Sequence, residues 1–317
     1  MRKTIVIVLA CIFALTMLAA CGGNNAGNQG SEPPAGNNPP ANDPPANNPP
    51  ANDPPANNPP AADFDADRVI AVFTREDGSG TRDAFVNITG VGDDMYIEAV
   101  VQNETAQILT SVETNETGIG YVSVGSLSDA VKALAIDGVM PSDETVANGT
   151  YSLQRPFLVA VTEEKLNDPL VKDFIDFMLS TSGQTESATR WTAVPGITAV
   201  YEPSGLTGTL EVGGSTSVEP LMQRIREAYI ALNPGVDIEI SGGGSGTGIN
   251  QAIEGVIDIG MSSRGLRDTE KETLTDIIIA LDGVAIIVNK ANPVTGLVME
   301  QVREIFVGEI TRWNLVS

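Results

Sequence analysis

Three times along this chain a short apolar run gives way to glycine, serine and threonine, and each time a stretch able to form a helix follows. Arg75–Thr81 succeeds Arg68–Thr74, Gly213–Ser217 succeeds Thr207–Val212, and Ser241–Gly248 succeeds Val236–Ile240. A fourth turn, after Ile257–Gly260, carries the hydroxyls of Ser262 and Ser263. An apolar strand feeding a helix through a tight loop is the repeating unit of α/β folds with mostly parallel sheets. The same loop gathers backbone N–H groups, hydroxyls and the positive end of a helix around one point, which suits a small oxyanion.

The remaining pattern has the same alternation. Tyr96–Val101, Gly118–Val124, Phe157–Val161 and Gly283–Asn289 read as strands. Glu104–Val112 and Met299–Val307 read as helices, and so does the stretch after Val218, which carries Leu221, Met222, Ile225, Tyr229 and Leu232. Asp168–Leu179 is amphipathic, with Pro169 in its first turn. The globular part starts near Ala66, and its roughly 250 residues are enough for two linked lobes.

What precedes it is not core-forming sequence. Residues 1–20 read as a secretory signal: Arg2 and Lys3, the apolar run Ile5–Met17, then Leu18-Ala19-Ala20 before Cys21. The run is too short for a membrane span. Cys21 is therefore expected to carry a lipid anchor. Residues 21–65 repeat Asn-Asp-Pro-Pro-Ala and Asn-Asn-Pro-Pro-Ala and read as a disordered tether with polyproline II character.

Composition narrows the chemistry. The formal charge is −23, which disfavours nucleic acid and anionic membrane surfaces as partners. An anionic ligand must then be held by local donors. There is no histidine, and the only cysteine besides Cys21 is Cys11 in the signal. A Ser-His-Asp triad, a thiol nucleophile, a disulfide and most zinc sites are thereby excluded, and no metal or cofactor is expected.

In the first loop Arg75 offers a planar fork of donors that matches two oxygens of a tetrahedral anion. Gly78 and Gly80 allow close backbone approach, Ser79 and Thr81 add hydroxyls, and Asp77 is expected to hold Arg75 in place. Thr216 and Ser217 repeat that logic in the second loop, and Ser245 in the third. A nucleotide P-loop needs Gly-Lys-Ser/Thr, and no lysine stands there. Each loop alone could be an ordinary helix cap.

Together these stretches resemble the phosphate-binding lipoproteins of the high-affinity phosphate ABC transporter (PstS-like). The resemblance rests on Gly-Ser-Thr-Ser-Val (214–218), Ser-Gly-Gly-Gly-Ser-Gly-Thr-Gly (241–248), Ile-Gly-Met-Ser-Ser-Arg (259–264), Asp-Gly-Val-Ala-Ile-Ile-Val-Asn (282–289) and the run 300–314 ending in Trp-Asn. Thr-Arg-Glu-Asp-Gly-Ser-Gly-Thr-Arg (74–82) and Gly-Ile-Gly-Tyr-Val-Ser (118–123) complete it. It implies a two-lobed, periplasmic-binding-protein-like fold of type II that closes on its ligand. It also implies phosphate contacts from Arg75, Ser79, Gly80, Thr81, Thr216, Ser217, Ser245 and Ser263, with Asp77 and Ser262 in support. The order differs from the family's: the half with Arg75 comes first, and the family's ends meet through about 183–206. Set beside the family, this order looks like a circular permutation. One lobe would be 66–151 plus 288–317 and the other 152–287.

Some members of that family carry an aspartate at the position of Ser263, accepting a proton from phosphate. Without it, sulfate or molybdate remain alternatives, and Asp77 is the second acceptor candidate. The expected role is a lipid-anchored receptor on the outer face of the membrane, handing phosphate to a permease without catalysing a reaction. A surface interaction protein on the same fold is the alternative of another class.

Overall fold

The computed structural model describes residues 64–316. The expected signal, Cys21 and the tether up to residue 63 lie outside the described residues.

The first elements are β1 (Ala71–Arg75), α1 (Gly80–Thr89), β2 (Val100–Gln102), α2 (Thr105–Thr114) and β3 (Gly118–Ser123). β2 is shorter than expected. Tyr96 donates its N–H to Phe306 O (2.7 Å), and Ala99 turns back to Tyr96 O (2.9 Å), so pairing starts only at Val100. Next come β4 (Val131–Ala133), β5 (Ala135–Ile136), α3 (Asp143–Ala147) and β6 (Gln154–Thr162). Then α4 (Glu163–Leu166), α5 (Pro169–Met178) and α6 (Thr181–Ser187) follow. Asp168 caps α5, accepting from the N–H groups of Leu170 and Val171.

The third group is β7 (Gly208–Gly214), α7 (Glu219–Leu232), β8 (Val236–Gly242), α8 (Ser245–Ile253) and β9 (Ile259–Ser262). The described chain closes with α9 (Asp268–Lys271), β10 (Leu274–Asn289), β11 (Gly296–Leu297) and α10 (Met299–Phe306). Among the described residues, no helix is long and apolar enough to cross a membrane.

The main sheet runs β2-β1-β3-β10-β6-β9-β7-β8. Its flanks are parallel, as expected: β1 with β2 and β3, and β7 with β8 and β9. Its centre is antiparallel, because β10 pairs with β3 and β6, and β6 pairs with β9. The sheet is therefore mixed rather than mostly parallel. The cause is topological. The described chain starts and finishes in the same half, so the two strands that cross between halves must run in opposite directions.

β10 is 16 residues long, more than twice the expected Gly283–Asn289. Leu274–Gly283 pairs with β6, with a register shift between Ile278 and Ala280, and Val284–Val288 pairs with β3. Apolar packing follows the same division. One core gathers Phe157, Phe174, Phe177, Leu221, Ile225, Ile279 and Ala280. Another gathers Val72, Phe85, Tyr121, Val284, Ile286, Val302 and Phe306.

At the crossover, Asp282 and Arg155 form a buried ion pair (Nη2 to Oδ2, 2.9 Å), and Asp282 Oδ1 also accepts from Ser123 Oγ (2.8 Å). Burial pushes the Asp282 carboxyl upward, and the guanidinium opposes that shift.

The segment 183–206 is fastened to its surroundings. Thr192 and Leu281 exchange backbone hydrogen bonds (3.0 and 2.8 Å), and Tyr201 OH donates to Asp173 Oδ2 (2.7 Å). The first and last described segments also meet. Val69 bridges Arg312, Asn314 N donates to Ala66 O (3.0 Å), and Trp313 Nε1 donates to Thr117 O (3.1 Å).

Candidate functional site

β1 delivers Arg75 into the interior, where only 2% of the residue is exposed. Its backbone N–H donates to Tyr121 OH (3.1 Å), which also bonds Thr74 Oγ1 (2.7 Å). Tyr121 is fixed in turn by stacking on Phe85, with centroids 4.1 Å apart. Burial pushes the Tyr121 hydroxyl up to about 12, so it stays neutral.

The guanidinium is held by Glu76, not by Asp77. Nε and Nη2 donate to the two Glu76 carboxylate oxygens at 2.8 Å each, and Nη1 donates to Thr105 Oγ1 (3.2 Å). The expectation for Asp77 is thereby corrected. Asp77 is exposed and pairs with Arg82. The reason is position: Glu76 still follows the line of β1, whereas Asp77 lies beyond it in the turn that Gly78 completes at φ +87°.

Ser79 caps α1, accepting from Arg82 N (3.4 Å), which places Gly80 and Thr81 in the first helical turn. Thr81 Oγ1 lies 2.8 Å from Ser217 Oγ, in the loop between β7 and α7. Thr105 Oγ1 lies 3.3 Å from Thr216 Oγ1 and 3.4 Å from Ser217 Oγ. Ser263 Oγ accepts from Ser215 Oγ (2.9 Å) and lies 3.5 Å from Ser245 Oγ, while its backbone N–H donates to Ser245 Oγ (3.1 Å).

Gly80 is where these walls come closest. A Cβ there would stand 2.2 Å from Ser245 Oγ and 2.8 Å from Ser263 Oγ. Backbone contact also spans the gap, with Gly246 N donating to Gly78 O (2.9 Å).

The structure thus brings Arg75, Gly80, Thr81, Thr216, Ser217, Ser245 and Ser263 into one neighbourhood, with Ser79 shaping the turn. Ser262 is beside it but turned away, donating to Arg264 O (2.8 Å). Three participants escaped the sequence reading. Thr105 opens α2 after Asn103-Glu104, with no glycine to mark the loop. Ser215 stands within Gly-Ser-Thr-Ser beside Thr216 and Ser217, the two hydroxyls that the sequence reading used. Glu76 was overshadowed by Asp77. The available signal for Thr105 was another strand–helix junction carrying a hydroxyl.

A cavity of about 620 Å³ adjoins this cluster, lined by Thr105, Thr216, Glu76, Glu104 and Glu219 among others. Burial, with help from Glu104, raises the Glu219 carboxyl above its ordinary value. Hydroxyl and N–H donors converging on one buried point, beside a guanidinium, can bind a tetrahedral oxyanion through charge-assisted hydrogen bonds of about 1.5–3 kcal/mol each.

The PBP superfamily domain matches residues 52–182 and 199–316. The phosphate-binding protein PstS 2 of Streptococcus pneumoniae is 42% identical over 261 residues, covering 80% of this chain and 89% of that protein. The chain belongs to the PstS-like phosphate-binding protein family. A second PstS 2, from Streptococcus agalactiae, is 39% identical over 258 residues, covering 78% of this chain and 88% of its own length. A crystal structure of a phosphate-binding protein of a phosphate ABC transporter from Streptococcus pneumoniae matches with a TM-score of 0.66 and 41% identity, over 79% of this chain and 100% of that one. The family's α/β binding-protein fold and the hydroxyl-lined cluster are thus found in the same chain.

Proposed function

We propose that this chain is a solute-binding protein that captures inorganic phosphate in the Arg75–Ser245–Ser263 cluster and delivers it to an ABC permease. The observation that carries the reading is a pair of hydroxyl sets, Thr81, Thr105, Thr216 and Ser217 in one and Ser215, Ser245 and Ser263 in the other, each joined by contacts within 3.5 Å, which meet at Gly80 beside a buried guanidinium. Arg75, Ser79, Gly80, Thr81, Thr216, Ser217, Ser245 and Ser263 are the proposed phosphate contacts. The protein performs no reaction, since none of these hydroxyls has a histidine or lysine base in its motif. Binding occurs outside the cell membrane, with Cys21 as the lipidated residue and 21–65 as the tether.

The two lobes are proposed as 66–151 plus 288–317 and 152–287, closing about β6 and β10. The division of apolar cores along β10 supports this. A circularly permuted order is supported by the meeting of Ala66 and Val69 with Asn314 and Arg312.

Calorimetry with inorganic phosphate tests the function. Saturable one-to-one binding that is lost in Ser245→Ala is expected. No heat from the wild-type protein, or an unaltered Ser245→Ala isotherm, would overturn it. A sulfate receptor is the second reading, favoured by the hydroxyl at position 263. Displacement of phosphate by sulfate at comparable concentration would select it.

A further inference from the structure

Asp83 stands on α1 just after Thr81, and its side chain reaches the segment that follows Ser263. Arg264 Nε and Arg267 Nη2 each lie 2.8 Å from one oxygen, Asp83 Oδ2. These ion pairs join parts of the chain that pack separately. α1 contributes Ala84 and Phe85 to the core around Tyr121 and Phe306. The turn 264–267 contributes Leu266 to a different cluster, with Leu158, Ile249 and Ala252 of β6 and α8. Asp83 therefore bridges the two proposed lobes, beside the hydroxyl-bearing segments that each of them presents.

The arginine side of the bridge is built in advance. Glu270 takes the Arg264 fork through two hydrogen bonds of 2.7 Å, Nη1 to Oε2 and Nη2 to Oε1. Glu270 Oε2 also accepts from Arg267 N (2.7 Å), and Arg264 Nη1 donates to Gly265 O (2.9 Å). Both Nη atoms are thus occupied, and Nε is the edge turned to Asp83. Arg264 is only 6% exposed, so it loses little rotamer freedom on meeting the carboxylate. Arg267 differs, with a side chain that is 62% exposed. The bridge has a buried half and a wet half.

Two carboxylates and two guanidiniums balance in this group, so it adds no net charge beside the hydroxyl cluster. Its effect is on closure instead. A contact made only when two lobes meet stabilises the closed form alone, and a ligand held between them then leaves more slowly.

We propose that Asp83 is a positioning residue for phosphate binding, whose ion pairs with Arg264 and Arg267 latch the lobe of α1 onto the lobe of Ser263. This rests on the phosphate reading of the hydroxyl cluster and on the lobe division. The latch retains bound phosphate without touching it.

Stopped-flow kinetics of the full folded protein with inorganic phosphate provide the test. Asp83→Asn preserves side-chain size, and Arg264 keeps Glu270. Phosphate release from this variant should be about fivefold to thirtyfold faster than from wild type. Arg267→Gln, at an exposed side chain, should speed release about twofold to fivefold at low ionic strength, and the difference should fade toward about 0.5 M salt. The Asp83→Asn effect should persist there, because Arg264 is buried. Adding Arg267→Gln to Asp83→Asn should change nothing further, since the shared partner is already gone. Association should stay within about twofold of wild type throughout.

Unchanged release in Asp83→Asn overturns the latch, and a lowered melting midpoint with unchanged release makes the bridge merely structural. Additive effects of the two substitutions also overturn it, as does a change confined to association. If Asp83→Asn fails to fold, unchanged release in Arg267→Gln at low ionic strength still overturns it. A wild-type protein that binds no phosphate overturns the reading of the cluster itself, whereas normal release from the variants of a phosphate-binding protein overturns the latch alone.

Discussion

Arg75 and Glu76 are adjacent in sequence and joined side chain to side chain by two hydrogen bonds of 2.8 Å, Nε to Oε2 and Nη2 to Oε1. The guanidinium is buried, so this carboxylate is its main compensation. Asp77 makes no such contact and is 92% exposed at its side chain.

The first prediction concerns that pair. Glu76→Ala leaves a buried cation without its carboxylate and should lower the unfolding free energy by roughly 3–5 kcal/mol, less whatever water recovers at the partly open Glu76 side. Asp77→Ala should cost under about 0.5–1 kcal/mol, as exposed pairs do. Urea unfolding of both variants measures this, and the reverse ranking would restore Asp77 as the partner.

Gly80→Ala tests the close approach of the two walls. Alanine is preferred to glycine inside a helix by about 1 kcal/mol, so α1 itself should not suffer. The added methyl would nevertheless collide with Ser245 and Ser263. Phosphate affinity should fall about a hundredfold or more, equivalent to roughly 2.7 kcal/mol, and the thermal midpoint should fall as well, because the same collision strains the ligand-free protein. Calorimetry and a melting curve on one sample decide the matter.

The crossover pair gives a third expectation. Asp282→Ala leaves Arg155 buried against the Phe157 ring (5.2 Å) with its counter-charge gone, at a cost of about 3–5 kcal/mol. Replacing both residues by apolar ones of similar volume should recover much of that loss, because a buried pair also loses its hydration. Denaturant midpoints of the single and double variants provide the comparison.

Glu219 yields a pH dependence. Burial first, then Glu104, raise its folded-state pKa. A raised pKa means that the group's stabilising contribution is complete below the unfolded carboxylate value and is lost as pH rises through the folded one. Glu219→Gln should therefore melt higher than wild type at neutral pH, by roughly 1–2 °C, and the gap should close as pH falls below about 4. The helix dipole at the start of α7 favours a negative Glu219 and limits the gain. A gap that widens in acid would contradict the assignment.

The glycine-rich junctions were the most legible part of the sequence. Each strand–loop–helix unit appears where the apolar runs end, since Gly78, Gly214 and Gly244 occupy backbone conformations that other residues avoid. The first half of β10 was not legible. Asp276 and Asp282 interrupt its apolar run; Asp276 is tolerated because it faces solvent, and Asp282 because Arg155 pairs with it. Thr105 and Glu76 were hidden for a different reason. Their roles come from which side chain reaches across a gap, and no local pattern encodes that. Antiparallel pairing at the centre of the sheet was likewise set by chain routing rather than by any segment's composition.

β10 has a consequence for inheritance. One half of this strand completes the core around Phe157 and Phe174, and the other completes the core around Phe85 and Phe306. Neither half of the protein is a module that recombination could lift out at a single breakpoint. A cut between Ile278 and Val284 would leave the first half with β6 but part Val284–Val288 from β3 and from the core around Phe85. Rearrangements of such a chain must keep this stretch whole, and they can reorder the rest around it.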